Sequence, residues 1–432
     1  MKIPRSALNV LSATEAAAAM AAGGLTSEAL VAACLERIAA REEEVQAWAC
    51  IDPDKALAEA RDRDRDRMPR RSRLHGLPVG IKDVIDTADM PTEYGSPIYR
   101  GHRPAADAAC VAQIRELGGV ILGKTVSTEF ATRHPNRTRN PHNPARTPGG
   151  SSSGSAAAVA DGMVPIALGT QTSSSVIRPA AYCGVVGCKP SFGLLNRAGL
   201  KFLSESLDTL GTLTRTIEDA ALLVEELSGM TPTSFADVDA LRPRIGFCRT
   251  PFWRHADDST QALLEAAART LAASGAAVSE VVLEGDFTQL NEVQVAISAY
   301  EFYRALTYER TRFPDLISES LTARIAAGGA ITRAEYERCY AIARRCRERI
   351  AAEFASCDVL IAPSTPGEAP DIATTGEPTF GLMWTLLRLP CLTLPHGTGP
   401  AGLPLGVQVI APAGRDASLF RNAAWIRRAL GA

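Results

Sequence analysis

The stretch 148–178, PGGSSSGSAAAVADGMVPIALGTQTSSSVIR, constrains this chain more than any other. It opens with a Gly/Ser loop over 149–154. An Ala-rich helix-forming run over 155–160 follows and is stopped by Gly162. A short apolar strand, 164–168, then leads into a second small-residue loop over 169–175. Two Ser-rich loops joined by one helix and one strand can fold back to face each other. Small residues let backbone N–H groups come close to a ligand, and Ser adds hydroxyls. A flexible linker would not enclose an AAAVA run and an MVPIAL run, so the pattern reads as a built site.

The rest of the chain supplies a frame for that site. Residues 13–60 read as two amphipathic helices, the second capped at Thr26, Ser27 and Glu28, with Leu30, Cys34 and Ile38 on one face. The alternating charges of 61–73 read as a solvated helix end and connector. Leu77, Val79 and Ile81 alternate, which predicts a strand carrying Lys82 on the opposite phase. A helix from Asp107 with Val111, Ile114 and Leu117 at core spacing ends at Gly118-Gly119, before a strand over 120–122. Helix–strand alternation of this kind marks an α/β sheet. Residues 136–148 read as a loop rich in Asn and Pro, and 217–227 as a helix. A strand over 245–248, a helix capped by Ser259 and a strand over 277–283 follow. Residues 289–356 are Arg/Glu-rich and mainly helical, and strands over 358–362 and 405–411 return to the apolar style of the sheet. The expectation is a single α/β domain over 1–432. Its parts are N-terminal helices and connector over 1–73, a core over 74–230, a helical elaboration over 285–356 and a return to the sheet over 357–432.

Composition removes several function classes. A formal net charge of −2 gives no reason for a nucleic-acid or anionic-membrane partner. Ten Cys without a CxxC pair read as reduced, packed thiols of a cytoplasmic protein. No apolar run reaches the length of a membrane span, the N-terminus lacks a signal-peptide pattern, and no His/Cys/Asp cluster has metal-ligand spacing. Lysine is scarce: Lys2, Lys55, Lys82, Lys124, Lys189 and Lys201 are the only six, and every other strong base is Arg. Only Lys can plausibly give up its proton, so a Lys placed near a Ser-rich site is a candidate base.

The residues 150–154, GSSSG, match the G-x-S-x-G elbow of α/β-hydrolases, but NPARTPGG precedes them where that elbow needs a hydrophobic strand. His255 and His396 follow in contexts that do not suit a catalytic partner. A neutral Lys can instead take a Ser proton. Keeping a side chain with an ordinary pKa of about 10.4 neutral near pH 7 costs on the order of 4 kcal/mol, which burial among hydroxyls away from carboxylates can supply. Lys82 fits if its strand delivers it beneath the Ser loops, with Asp83 pointing the other way.

GIKDVIDT, the 148–192 run ending AAYCGVVGCKPSF, and the C-terminal GLPLGVQVIAP resemble the amidase signature family. KDVIDTADMPTEYGSPIYRG, ILGKTVSTEFATR, NPHN and WTLLRLPC extend the likeness along nearly the whole chain, most closely to the malonamidase branch. The resemblance implies a mixed central β-sheet covered by helices on both faces, no cofactor and a homodimer. It implies a Ser–cis-Ser–Lys triad, with Ser175 as nucleophile, Ser151 as the relay held by a cis peptide and Lys82 as base. Ser153 would support the relay. The oxyanion hole would be the backbone N–H row of Thr172, Ser173 and Ser174. Here the chain writes Ser-Ser-Ser where the family writes Gly-Gly-Ser; if either site needed φ > 0, Ser would cost on the order of 1 kcal/mol. Arg178 would anchor the carboxylate of a short amide such as malonamate. Other readings on the same scaffold are an acyl-transferring or amide-forming enzyme, an amidotransferase component working with a partner, and a homologue weakened by Ser173 and Ser174.

Overall fold

The structure is a computed structural model that describes residues 5–66 and 72–431. Residues 67–71 of the expected charged connector, and Lys2, lie outside the described residues.

Helices α1 (Ala13–Ala21) and α2 (Ser27–Val45) lead into β1 (Trp48–Ile51) and α3 (Pro53–Arg65). Then come β2 (Pro78–Lys82), α4 (Ala109–Glu116), β3 (Val120–Thr125), α5 (Ser153–Ala160), β4 (Ile166–Gln171), α6 (Ile177–Cys183) and β5 (Val186–Lys189). They are followed by β6 (Thr209–Thr214), α7 (Ile217–Ser228), β7 (Arg244–Phe247), α8 (Asp258–Ala273) and β8 (Ala277–Glu280). A helical block holds α9 (Leu290–Ala305), α10 (Thr307–Arg312), α11 (Glu319–Ala330) and α12 (Arg333–Glu353). The chain closes with β9 (Val359–Pro363), α13 (Thr379–Leu386), β10 (Cys391–Thr398), β11 (Pro404–Ile410) and α14 (Asp416–Leu430).

All eleven strands join one mixed sheet in the order β1-β3-β2-β4-β6-β5-β10-β11-β9-β7-β8, which helices flank. β2 runs parallel to both β3 and β4, so their C-terminal ends point the same way. These strands are buried along their full length, which is why they read as apolar runs and not as a one-sided alternation. α5 and α6 pack on each other; α7 and α14 pack together elsewhere on the sheet. α11 and α12 both rest on α9. α11 comes so near that a Cβ at Gly328 would lie 2.0 Å from the Ala299 carbonyl oxygen.

The N-terminal segment holds three helices and a strand where two helices were expected. Gln46, in the left-handed region at φ 53°, ends α2; β1 follows, and Asp52 with Pro53 restarts a helix by accepting from the Lys55 N–H. The helix expected from Asp107 begins at Ala109, and α8 is capped by Asp257, not Ser259. All ten cysteines are free. Among the described residues no helix is long and apolar enough to cross a membrane.

Candidate active site

Lys82 is the last residue of β2, at the end of the sheet where β4 runs out into the loop 172–176. Its side chain is fully buried. Nζ lies 2.7 Å from Ser151 Oγ, 2.8 Å from Thr170 Oγ1 and 3.5 Å from the Thr170 carbonyl. No carboxylate forms an ion pair with it among the described residues. Burial holds the Lys82 pKa well below the ordinary lysine range, and the charge of Asp208 opposes this only weakly. Asp83 faces elsewhere, accepting from the Glu93 N–H and lying 3.5 Å from Lys124 Nζ.

Ser151 follows a cis peptide bond after Gly150 and is fully buried. Gly149 turns the chain into it at φ 81°, where a Cβ would meet Pro179 Cα at 2.8 Å. The Ser152 N–H donates to the Ser175 carbonyl at 3.3 Å, which ties the two Ser loops together. The Ser175 side chain is 7% exposed, and its hydroxyl has no hydrogen bond to another described residue. Ser153, expected to support the relay, sits elsewhere: its hydroxyl accepts from Asn136 Nδ2 at 2.6 Å and lies 3.5 Å from the Val126 carbonyl.

The loop before Ser175 is held by its carbonyls. Gln294 Nε2 donates to the Thr172 oxygen at 2.8 Å, Thr385 Oγ1 to the Ser173 oxygen at 2.8 Å and the Arg178 N–H to the Ser174 oxygen at 2.9 Å. Gln171 Oε1 accepts from the N–H groups of Val176 and Ile177, at 2.9 and 3.0 Å. The N–H groups of Ser173 and Ser174 make no hydrogen bond to other described residues. With the carbonyls spoken for, such N–H groups are free to receive a developing oxyanion. Neither Ser173 nor Ser174 has a positive φ, so the backbone cost considered for Ser at these sites does not arise. The Ser174 side chain fills the space over Gly381, where a Cβ would come within 2.4 Å of its Oγ.

Arg178 is 2% exposed, and its fork is occupied by the protein itself. Nη1 donates to the Gly376 carbonyl at 2.6 Å and Nη2 to the Gly150 carbonyl at 2.7 Å. It therefore ties down the loop that carries Ser151, instead of presenting its fork to a substrate carboxylate. Two other arginines line a cavity of about 290 Å³ beside Ser173: Arg133 and Arg324, together with Thr132, Gln294, Leu321 and Leu382. Arg324 Nη2 donates to Ser298 Oγ at 3.0 Å, its Cζ lies 4.3 Å from the centre of the Phe302 ring, and no carboxylate pairs with it among the described residues. Burial and the nearby charge of Arg133 lower its pKa, though burial is the main cause; at about 10 it stays charged.

Thr170, Gln294, Thr385, Arg133 and Arg324 were not singled out by the sequence. Gln294, Thr385 and Arg324 stand on helices remote in sequence from the Ser loops, and only the fold brings them there.

Comparison with known proteins gives a consistent picture. The amidase family profile matches residues 29–420. The GatA-type component of a glutamyl-tRNA(Gln) amidotransferase from Anaeromyxobacter sp. (strain K) is 34% identical over 484 aligned positions, covering 100% of this chain and 98% of the relative. Among solved structures, an amidase superposes with a TM-score of 0.89 at 30% identity, covering 98% of this chain and 100% of the other. The native peptide amidase of Stenotrophomonas maltophilia does so at 0.85 and 30% identity, covering 98% and 97%.

Proposed function

The chain belongs to the amidase family and is an enzyme that acts on amides, and from that premise we propose that it hydrolyses small carboxylate-bearing amides through an acyl-enzyme on Ser175. The observation that carries the reading is Lys82: buried, without a carboxylate partner, and 2.7 Å from the Ser151 hydroxyl. In this mechanism Ser175 Oγ attacks the amide carbon while its proton passes to Ser151 Oγ and the Ser151 proton to neutral Lys82. The N–H groups of 172–174 receive the oxyanion, a contribution of about 10²–10³ in rate per donor. As the tetrahedral intermediate collapses, the proton returns through Ser151 to the leaving nitrogen and ammonia departs. Water then attacks the ester along the same relay, and the acid and free Ser175 are released.

The cationic cavity supports a carboxylate on the substrate, with malonamate as the probe. Arg324 and Arg133, and not Arg178, are the residues assigned to that carboxylate; pairing with an unpartnered guanidinium fixes orientation as well as affinity. Ammonia release from malonamate, compared with the neutral amide propionamide, tests this. Turnover of malonamate in preference to propionamide, lost in Ser175→Ala, is expected. Equal turnover of both would retain the triad and remove the carboxylate assignment. No turnover of either would remove the hydrolase reading.

The amidotransferase component found among the relatives favours a second reading, in which the ammonia is passed to a partner protein. The same assay with glutamine as amide donor separates the two. Glutamine turnover above that of malonamate would favour the amidotransferase role, whereas a homodimer that turns over malonamate alone would favour the first.

A further inference from the structure

The cationic cavity has two walls that belong to different parts of the chain. One is the segment 128–133, which ends in Thr132 and Arg133. The other is α11, which supplies Leu321 and Arg324. The first wall is a self-bonded block: the Ala131 N–H donates to the Thr128 carbonyl at 2.9 Å, Thr128 Oγ1 to the Thr132 carbonyl at 2.8 Å and Thr132 Oγ1 to the Glu129 carbonyl at 2.6 Å. Phe130 and Ala131 both lie in the left-handed region, at φ 44° and 56°, which turns the block sharply. The Thr128 N–H donates to the Ser151 carbonyl at 3.3 Å, so the block is seated on the catalytic loop.

Glu129 joins this block to the other wall. Its side chain is buried, and its carboxylate accepts from both donors of Ser318, the N–H at 3.1 Å and the hydroxyl. Ser318 is the N-cap of α11. A carboxylate there meets the positive end of the helix dipole, and two donors from one residue define position as well as distance. Further along, α11 is seated on α9 at Gly328. The helix that carries Arg324 is thus fixed at its far end by packing and at its near end by one carboxylate from the wall beside Ser151.

We propose that Glu129 is a positioning residue for substrate specificity: by holding α11 to the 128–133 block it sets the distance between the Arg324 charge and Ser175, and so the length of the amide acid accepted. This rests on the reading above that Arg324 takes the substrate carboxylate. Glu129 touches no reacting atom, so its removal acts on the carboxylate end alone.

Steady-state kinetics on malonamate and propionamide with Glu129→Ala, Ser318→Ala, Arg324→Met and the double variant Glu129→Ala/Arg324→Met test it. Glu129→Ala is expected to raise KM for malonamate about tenfold, with kcat for propionamide within twofold of the parent. Ser318→Ala, which removes one of the two bonds, should move KM the same way by less. The double variant should be no worse on malonamate than Arg324→Met, because the clasp has nothing left to position. Equal losses on both substrates, or losses that multiply in the double variant, would overturn the positioning role. If Arg324→Met itself leaves malonamate KM unchanged, the carboxylate reading fails, and the positioning role with it.

Discussion

A lysine held without a counter-charge at the end of a buried strand alters both what the protein can do and how stable it is. Lys82 must be neutral to accept a proton, so kcat/KM is expected to fall on the acid side as Lys82 takes up its own. The same depressed pKa gives a stability signature. Between its folded and unfolded pKa values the unfolded chain holds a proton that the folded one lacks, so Lys82 makes stability rise with pH by up to about 1.4 kcal/mol per unit. Lys82→Met should abolish ammonia release, and its stability relative to the parent should decline from pH 8 towards pH 10. Urea unfolding at several pH values reads this; a pH-independent difference would mean that Lys82 is charged in the folded protein. The scarcity of lysine made Lys82 stand out in the sequence, but Lys124 and Lys189 are just as buried. Lys124 bonds the Ile85 carbonyl at 2.7 Å and Lys189 the Leu389 carbonyl at 2.6 Å. Scarcity therefore marked lysines that the core needs, and the hydroxyl of Ser151 is what distinguishes one of them. Arg178 is the reverse case: three residues from Ser175 it looks like a substrate anchor. Its partners, Gly150 and Gly376, are carbonyls that no side-chain pattern announces.

Among the elements, the loop 172–176 and α13 form a matched pair. Ser174 occupies the volume that Gly381 leaves open, and the Ser173 carbonyl would lie 2.9 Å from a Cβ there. Gly381→Ala should push the oxyanion loop out of place, lowering kcat at least tenfold and destabilising by about 1–3 kcal/mol, the usual cost of overpacking. Adding Ser174→Gly should recover more than half of the kcat loss, whereas effects that simply multiply would show that the two do not share the space. Ser at this position is thus an accommodated substitution, and its hydroxyl belongs to the packing against α13. The sequence revealed β2, β4, α7 and the 289–356 helices because their periodicity or their bounding glycines are local signals. It did not reveal β1, which is short and sits between two helical patterns, nor α13, whose FGLMWTL run is apolar all round and has no period to read. β10 was also missed, because its strand character comes from pairing with β5 and β11.

At the scale of the whole molecule, the sheet interleaves the two ends of the chain. β5, from the first half, pairs with β10, and β10 with β11, so no cut between strands separates an N-terminal from a C-terminal sheet without breaking a ladder. We propose that the chain is one cooperative domain despite its length. Scanning calorimetry should give one transition with a calorimetric enthalpy equal to the van't Hoff enthalpy; two resolved transitions would divide it.

That order of strands also sets a schedule during synthesis. β10 begins at Cys391, roughly 200 residues after β5 ends at Lys189, so at translation speeds of about 5–20 residues per second the β5 edge waits on the order of 10–40 s for its neighbour. Lys82, Ser151 and Ser175 have by then long left the ribosome, beside an apolar edge with nothing to pair it. The catalytic residues are among the first parts of the sheet to be made, and the strands that enclose them are among the last.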